Sequence, residues 1–270
     1  MVDLNFFERY RAFLLDIDGV LVRGPTPIDG AAEGLARLRR HGRCLFLTNN
    51  SSRSRAGLAR HLVALGFAVA ADELVPSCYI AARHLASIAG EVAFWLIGEA
   101  GLDEELRLAG HRRVDRPEDA EWVVAGIDRA VDYETLDGAL RALRGGARLL
   151  ATNIDPTFPG PDGLLPGAGA IIGALEGMGY PAEISVGKPS PIAFRVAVER
   201  LDANPGSVLM IGDRLETDVL GATEAGIDTA LVLTGITPSH ETAAGAIRPT
   251  WTADSLAALS EGRVRPTASS

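Results

Sequence analysis

Short apolar runs recur along this chain, each stopping at a polar or acidic residue and each followed by a stretch of helical spacing. Ala12-Phe13-Leu14-Leu15 ends at Asp16, and Cys44-Leu45-Phe46-Leu47 ends at Thr48. Ser207-Val208-Leu209-Met210-Ile211 ends at Gly212-Asp213, and Thr229-Ala230-Leu231-Val232-Leu233 follows. Strands that are apolar throughout, rather than alternating, need cover on both faces, which helices crossing between parallel strands supply. The first such helix is expected from about Gly30, with Ala31, Leu35 and Leu38 on one face and Gly42 placed to end it. The pattern predicts an α/β protein built on a parallel sheet.

The middle of the chain repeats the alternation independently. Strand-like runs at Val92–Ile97, Glu121–Ala125 and Arg148–Thr152 are separated by helical stretches near 101–109, 133–144 and 168–178. This reads as a second α/β unit, with edges placed near 77 and 184 from the strand count. Residues 1–77 and 185–270 then form one domain, and residues 78–184 an inserted one. The tail after about Gly262, rich in Pro, Thr and Ser, is expected to fray.

Charge and cysteine content narrow the function. With 26 basic and 35 acidic residues the net charge is −9, and no Lys/Arg block exists to neutralise a run of phosphates, so nucleic acid is a poor partner. An anionic substrate would need a local cation source, and a divalent metal held by carboxylates is one. Cys44 and Cys78 are the only cysteines, without CxxC spacing, which argues against a disulfide framework or a zinc site. The opening MVDLNFFERYRAF lacks a signal-peptide pattern, and no apolar run reaches the roughly 18 to 20 residues that span a bilayer. The expectation is a cytoplasmic protein without a membrane partner.

In open parallel sheets, functional groups gather beyond the carboxyl ends of the strands. Asp16 and Asp18 lie there in LLDIDGVL, Thr48 opens TNNSS, and Asp213 opens GDRLETD. A single aspartate at a strand end is ordinarily a cap or turn residue. Two carboxylates from separate strands at one edge repel, and each raises the other's pKa, unless a cation lies between them. Magnesium, with its preference for hard oxygen ligands, resolves that conflict. Asp16 and Asp213 are therefore expected as side-chain ligands, and Asp18 through its backbone carbonyl. One oxygen of Asp16 is left to attack phosphorus, while the Asp18 side chain protonates the leaving alcohol and later activates water. Lys188 in VGKPSP follows another strand end, where an ammonium would stabilise transition-state charge. Thr48 and the amide of Asn49, with Asn50 in the same turn, are candidates to bind phosphate oxygens.

LLDIDGVL, LTNNS, GKPSP and GDRLETD together resemble the four motifs of the haloacid dehalogenase superfamily, in their usual order. The separation of about 140 residues between Thr48 and Lys188 resembles the NagD-like phosphatases, whose large α/β cap is inserted there. AGIDRAVDYETL and ATNIDPTFPGPDGLLPGAGA also match that subfamily. The resemblance implies a Rossmann-like core with an inserted α/β cap and a Mg2+-dependent phosphatase passing through a phosphoaspartate. It implies Asp16 as nucleophile, Asp18 as general acid/base, Thr48 and Lys188 as phosphate binders, Asp213 as metal ligand and Asp218 as a supporting carboxylate. Ile154 departs from the proline or polar residue that many relatives carry.

A core that grips only a phosphoryl group cannot tell esters apart, so discrimination falls to the insertion. The loop 153–163, with Asn153, Asp155 and Phe158, is the candidate. In similar phosphatases the position before the proline matched by Pro159 helps set the leaving group, and here it is Phe158. Asp128 and Tyr133 are secondary candidates, with packing the expected role of Tyr133. Sugar phosphates, glycerol phosphate, phosphoglycolate, pyridoxal phosphate and nucleotides all remain open as substrates, with 4-nitrophenyl phosphate as an artificial one. Dehalogenation also uses an aspartate nucleophile but has no need of magnesium or of Asp18. A phospho-accepting switch, or a non-catalytic metal- or phosphate-binding protein, would need no large insertion. Self-association as a homodimer or larger homo-oligomer is expected by analogy with similar proteins.

Overall fold

In the computed structural model, which describes residues 6–160, 163–237 and 246–267, the runs ending at Asp16 and Asp213 become the strands Ala12–Leu15 and Val208–Gly212 with every residue buried. The chain divides into two compact units. One comprises Met1–Thr48, Arg60–Val75 and Lys188–Ser270, the other Asn49–Ala59 and Pro76–Gly187.

The first unit is built on a seven-stranded sheet in the order Arg265–Pro266, Trp251–Ala253, Asp228–Val232, Val208–Gly212, Ala12–Leu15, Arg43–Thr48, Leu74–Pro76. Ala12–Leu15 pairs in parallel with Val208–Gly212 on one side and Arg43–Thr48 on the other. Register decides what meets at the sheet edge. Leu15 is level with both Ile211 and Phe46, so Asp16 and Asp213 leave adjacent strands at nearly the same height, with Thr48 at the end of the third. The expected helix is Ala31–Leu38, and Ala31, Leu35 and Leu38 are indeed its buried face. Gly42 does not end it. A side chain at Gly42 would come within 2.4 Å of the Arg11 carbonyl oxygen, so glycine is needed there for close backbone approach. Nor is the whole tail frayed. Arg265–Pro266 pairs antiparallel with Trp251–Ala253, anchored by buried Val264, while residues 268–270 lie outside the described residues.

The second unit carries a five-stranded parallel sheet in the order Ile184–Ser185, Arg148–Ala151, Trp122–Ala125, Ala93–Ile97, Arg112–Arg113. The helices Ala100–Leu108, Tyr133–Arg144 and Ala168–Gly177 sit where the periodicity placed them. Ile97, Val123, Leu149 and Ala151 from the strands pack against Ala139, Leu143, Ile171 and Leu175 from two of these helices. Asp132 caps Tyr133–Arg144 by accepting from the Thr135 amide at 2.8 Å. Tyr133, expected to pack, instead is 88% exposed, as the first residue after the Asp132 cap and outside the buried set Gly138, Ala139, Ala142 and Leu143 of its helix. The Pro/Gly-rich stretch forms an antiparallel pair, Thr157–Gly160 with Gly163–Pro166; Pro161 and Asp162, between them in sequence, lie outside the described residues.

Residues 49–59 join this unit through specific bonds. The Ile127 amide donates to Ser51 Oγ at 3.1 Å, the Gly101 amide donates to the Ser52 carbonyl at 3.2 Å, and Arg55 forms an ion pair with buried Glu105 at 3.1 Å. Among the described residues, no helix is long and apolar enough to cross a membrane.

Candidate active site

At the carboxyl edge of the seven-stranded sheet three aspartates and one lysine are buried together. Asp16 is 7% exposed, Lys188 3%, Asp213 2% and Asp218 fully buried. Lys188 Nζ lies 2.8 Å from Asp16 Oδ1 and 2.7 Å from Asp218 Oδ1, so it is no surface lysine. Asp218 sits in a single π-type turn, Leu215–Val219, and its second oxygen accepts from the amides of Asp213 and Arg214, each at 3.1 Å. It is thus both a partner of the lysine and the brace of the strand end that bears Asp213.

Glycines set the position of Asp213. Its Oδ2 accepts from the Ile236 amide at 2.8 Å. A Cβ at Gly19 would lie 2.4 Å from that oxygen, and one at Gly235 only 1.9 Å from it. Gly19 has φ +80°, a backbone region that residues with side chains rarely adopt. Gly19 belongs to the DIDG motif and was within reach of sequence reasoning. Gly235 was not, since a lone glycine after a strand carries no distinguishing signal.

Asp16, Asp213 and Asp218 each offer a carboxylate oxygen within 4.8 Å of the others. Burial pushes Asp16 well above the usual carboxylate range, Lys188 opposes this, and Asp218, Asp213 and Asp18 add to it. Burial, reinforced by Asp218, pushes Asp213 up to about 6. For Lys188, burial alone would favour loss of the proton, but the charges of Asp16 and Asp218 outweigh it and leave the ammonium more firmly protonated than usual. Three buried carboxylates therefore face one buried ammonium, and Asp213 Oδ1 is buried with no hydrogen-bond partner among the described residues. Both features fit a hard divalent cation held by oxygen. The Asp18 side chain is exposed and outside this group of ligating oxygens, and its backbone forms an isolated bridge with Val22. Thr48 is buried at the end of its strand.

The remaining candidates lie in the second unit. Asn49 and Asn153 are brought together: each donates its Nδ2 to Asp155 Oδ2 at 2.8 Å. Asn50 uses its side-chain oxygen locally, accepting from the amides of Ser52 and Arg53 at 3.1 Å. Phe158 has the Arg129 guanidinium 5.6 Å from its ring centroid. Together with Asp128, Leu136, Leu165 and Ile171 it lines a largely apolar cavity of about 400 Å³.

Comparison with known proteins agrees with this geometry. The model of the haloacid dehalogenase-like hydrolases matches residues 13–112, and that of HAD-hydrolase-like proteins matches residues 185–259. The acid sugar phosphatase of Staphylococcus saprophyticus is 34% identical over 91% of this chain and 95% of its own. The p-nitrophenyl phosphatase structure from Archaeoglobus fulgidus superposes with a TM-score of 0.88 at 37% identity, covering 93% of this chain and 98% of that one. A glycerol phosphate phosphatase from Mycobacterium tuberculosis, solved in complex with magnesium, has a TM-score of 0.87 at 35% identity and covers 94% of this chain and 77% of that one. The α/β fold, the buried acidic edge and these relatives together place the chain in the haloacid dehalogenase superfamily as a NagD-like phosphoric monoester hydrolase.

Proposed function

We propose that the chain hydrolyses a small-molecule phosphate monoester with magnesium, through a phosphoaspartyl intermediate on Asp16. The observation that carries this reading is the buried contact of Asp16 with Lys188 beside Asp213 and Asp218. Asp16, Asp213 and the Asp18 backbone carbonyl would hold the ion, with Asp218 beside them. When bound, the ion lowers the electrostatic barrier to an anionic nucleophile approaching an anionic ester.

The chain's own residues supply the rest. Lys188 engages one oxygen of Asp16, and the other oxygen attacks phosphorus as the bond to the leaving oxygen breaks. Asp18, exposed and therefore able to exchange protons with solvent, protonates the departing alkoxide. In the second half it takes a proton from water, whose oxygen attacks the acyl phosphate and releases inorganic phosphate from Asp16. Lys188, Thr48 and the Asn49 amide hold the phosphoryl oxygens as charge develops. Residues 1–77 and 185–270 act as the catalytic core, and 78–184 carry specificity through Asn153 and Phe158.

The test is hydrolysis of 4-nitrophenyl phosphate and a panel of metabolite phosphates. Activity should vanish with a chelator and return with magnesium, and Asp16→Asn should abolish it together with acid-stable incorporation of phosphate. Turnover that survives chelation or Asp16→Asn would rule this mechanism out.

A further inference from the structure

We infer that Asp155 is a positioning residue for phosphate binding, acting through Asn49, an inference that rests on the phosphatase reading above. Its carboxylate is engaged by neighbouring side-chain amides. One oxygen, Oδ2, accepts from both Asn49 Nδ2 and Asn153 Nδ2 at 2.8 Å. The network continues on each side. Thr152 Oγ1 donates to Asn153 Oδ1 at 3.0 Å, and Ser77 Oγ donates to the Asn49 carbonyl at 2.9 Å.

Asn49 is thereby held at both its side chain and its carbonyl, which restrains the residue whose amide follows Thr48. Gly187, the residue before Lys188, packs in the same place. A side chain there would lie 2.6 Å from the Thr152 carbonyl oxygen, 2.7 Å from Asn49 Oδ1 and 2.9 Å from Asn153 Cβ. The residues flanking Thr48 and Lys188 in sequence therefore meet on one cluster, and Asp155 supplies a carboxylate to it. A charged acceptor shared by two amide donors makes stronger bonds than a neutral one. Asn153, read from sequence as a substrate contact, is here the second donor that keeps Asp155 in place.

Asp155→Asn keeps the volume and removes the charge. It should lower kcat/KM at least tenfold on every ester tested, since small misplacements of binding groups are costly to phosphoryl transfer. The affinity for inorganic phosphate in the presence of magnesium, read by calorimetry, should fall with it. Magnesium half-saturation should not move. In an Asn49→Ala background, Asp155→Asn should cost nothing further, because its effect runs through Asn49. The exchanged pair Asn49→Asp with Asp155→Asn rebuilds an amide-to-carboxylate bond in the opposite sense and should recover most of the loss. If Asp155→Asn alone does not fold, this exchanged pair and Asn49→Asp still decide the matter. Wild-type kinetics in Asp155→Asn, independent losses with Asn49→Ala, or a parallel shift in magnesium affinity would each overturn the inference. An inactive wild-type protein would instead overturn the proposed function, and the phosphate-affinity comparison would still read the role of Asp155.

Discussion

The position of Asp213 is set so tightly that one methyl group should disable the site from outside it. In Gly235→Ala the new Cβ would lie 1.9 Å from Asp213 Oδ2 and 2.3 Å from its Cβ and Cγ, where ordinary contacts begin near 3.4 Å. The carboxylate must retreat by about 1.5 Å or the loop must move by as much. Either movement breaks the 2.8 Å bond from the Ile236 amide. A displacement of about 1 Å can cost about a hundredfold in rate, so kcat/KM on 4-nitrophenyl phosphate should fall by about that factor or more. Magnesium half-saturation should rise about 10- to 100-fold, the usual effect of disturbing a ligand's support. Overpacking should lower stability by about 1 to 3 kcal/mol. Steady-state kinetics across a magnesium titration, with melting temperature measured alongside, checks all three. Gly173→Ala is the control. That glycine lies in Ala168–Gly177 with nothing within 4 Å of a new Cβ, so it should be silent in kinetics and stabilise by up to about 1 kcal/mol. If Gly235→Ala kept wild-type kcat/KM and magnesium dependence, the claim that Asp213 must stand where it does would be refuted.

Three other outcomes follow from the same geometry. Lys188→Ala strands Asp16 and Asp218 without their ammonium and should destabilise the metal-free protein by about 3 to 5 kcal/mol in urea unfolding; a change under 1 kcal/mol would contradict the buried ion pairs. Phe158→Ala should change relative turnover across a panel of esters and leave magnesium dependence alone, whereas constant ratios would remove Phe158 from substrate choice. In metal-free protein, Asp213 holds its proton more tightly folded, at about 6, than at the ordinary 3.8, so its contribution is complete below about pH 4 and is lost as pH rises through 6. Metal-free stability should fall over that window by about 3 kcal/mol and be regained on adding magnesium at pH 7, and a flat profile would show that the group is not so buried.

How much of this was legible in sequence depended on whether a residue carries its signal locally. Asp16, Thr48 and Asp213 announce themselves because each ends a fully apolar run, and parallel pairing in register then brings strand ends together regardless of separation along the chain. The second α/β unit was equally legible, because 3.6-residue spacing and continuous apolar runs are properties of short windows. What stayed hidden were pairings between distant residues. The bond from Asn49 to Asp155 spans 106 positions, and Arg55 finds Glu105 50 positions on, yet neither residue looks unusual in its own neighbourhood. Hence nothing local to residues 49–59 hinted that they pack with the second unit. Asp218 was legible only through resemblance, since nothing in GDRLETD says that its last residue folds back onto the amides of Asp213 and Arg214.

The buried acidic cluster ties stability to function in a way that an ordinary core would not. Clustering Asp16, Asp213 and Asp218 around one lysine leaves uncompensated charge in a dry place, and burial, reinforced by Asp218, raises the pKa of Asp213 in response. A cation that binds only the folded state offsets part of that cost as it binds. Easing the cluster should therefore trade one property for the other. Replacing Asp218 by Asn would remove one repulsive charge but also half of the lysine's counter-charge and part of the brace on the Asp213 backbone. The fold tolerates the cluster because glycine at 19 and 235, the Ile236 amide and the Lys188 ammonium hold each carboxylate where repulsion alone would not leave it.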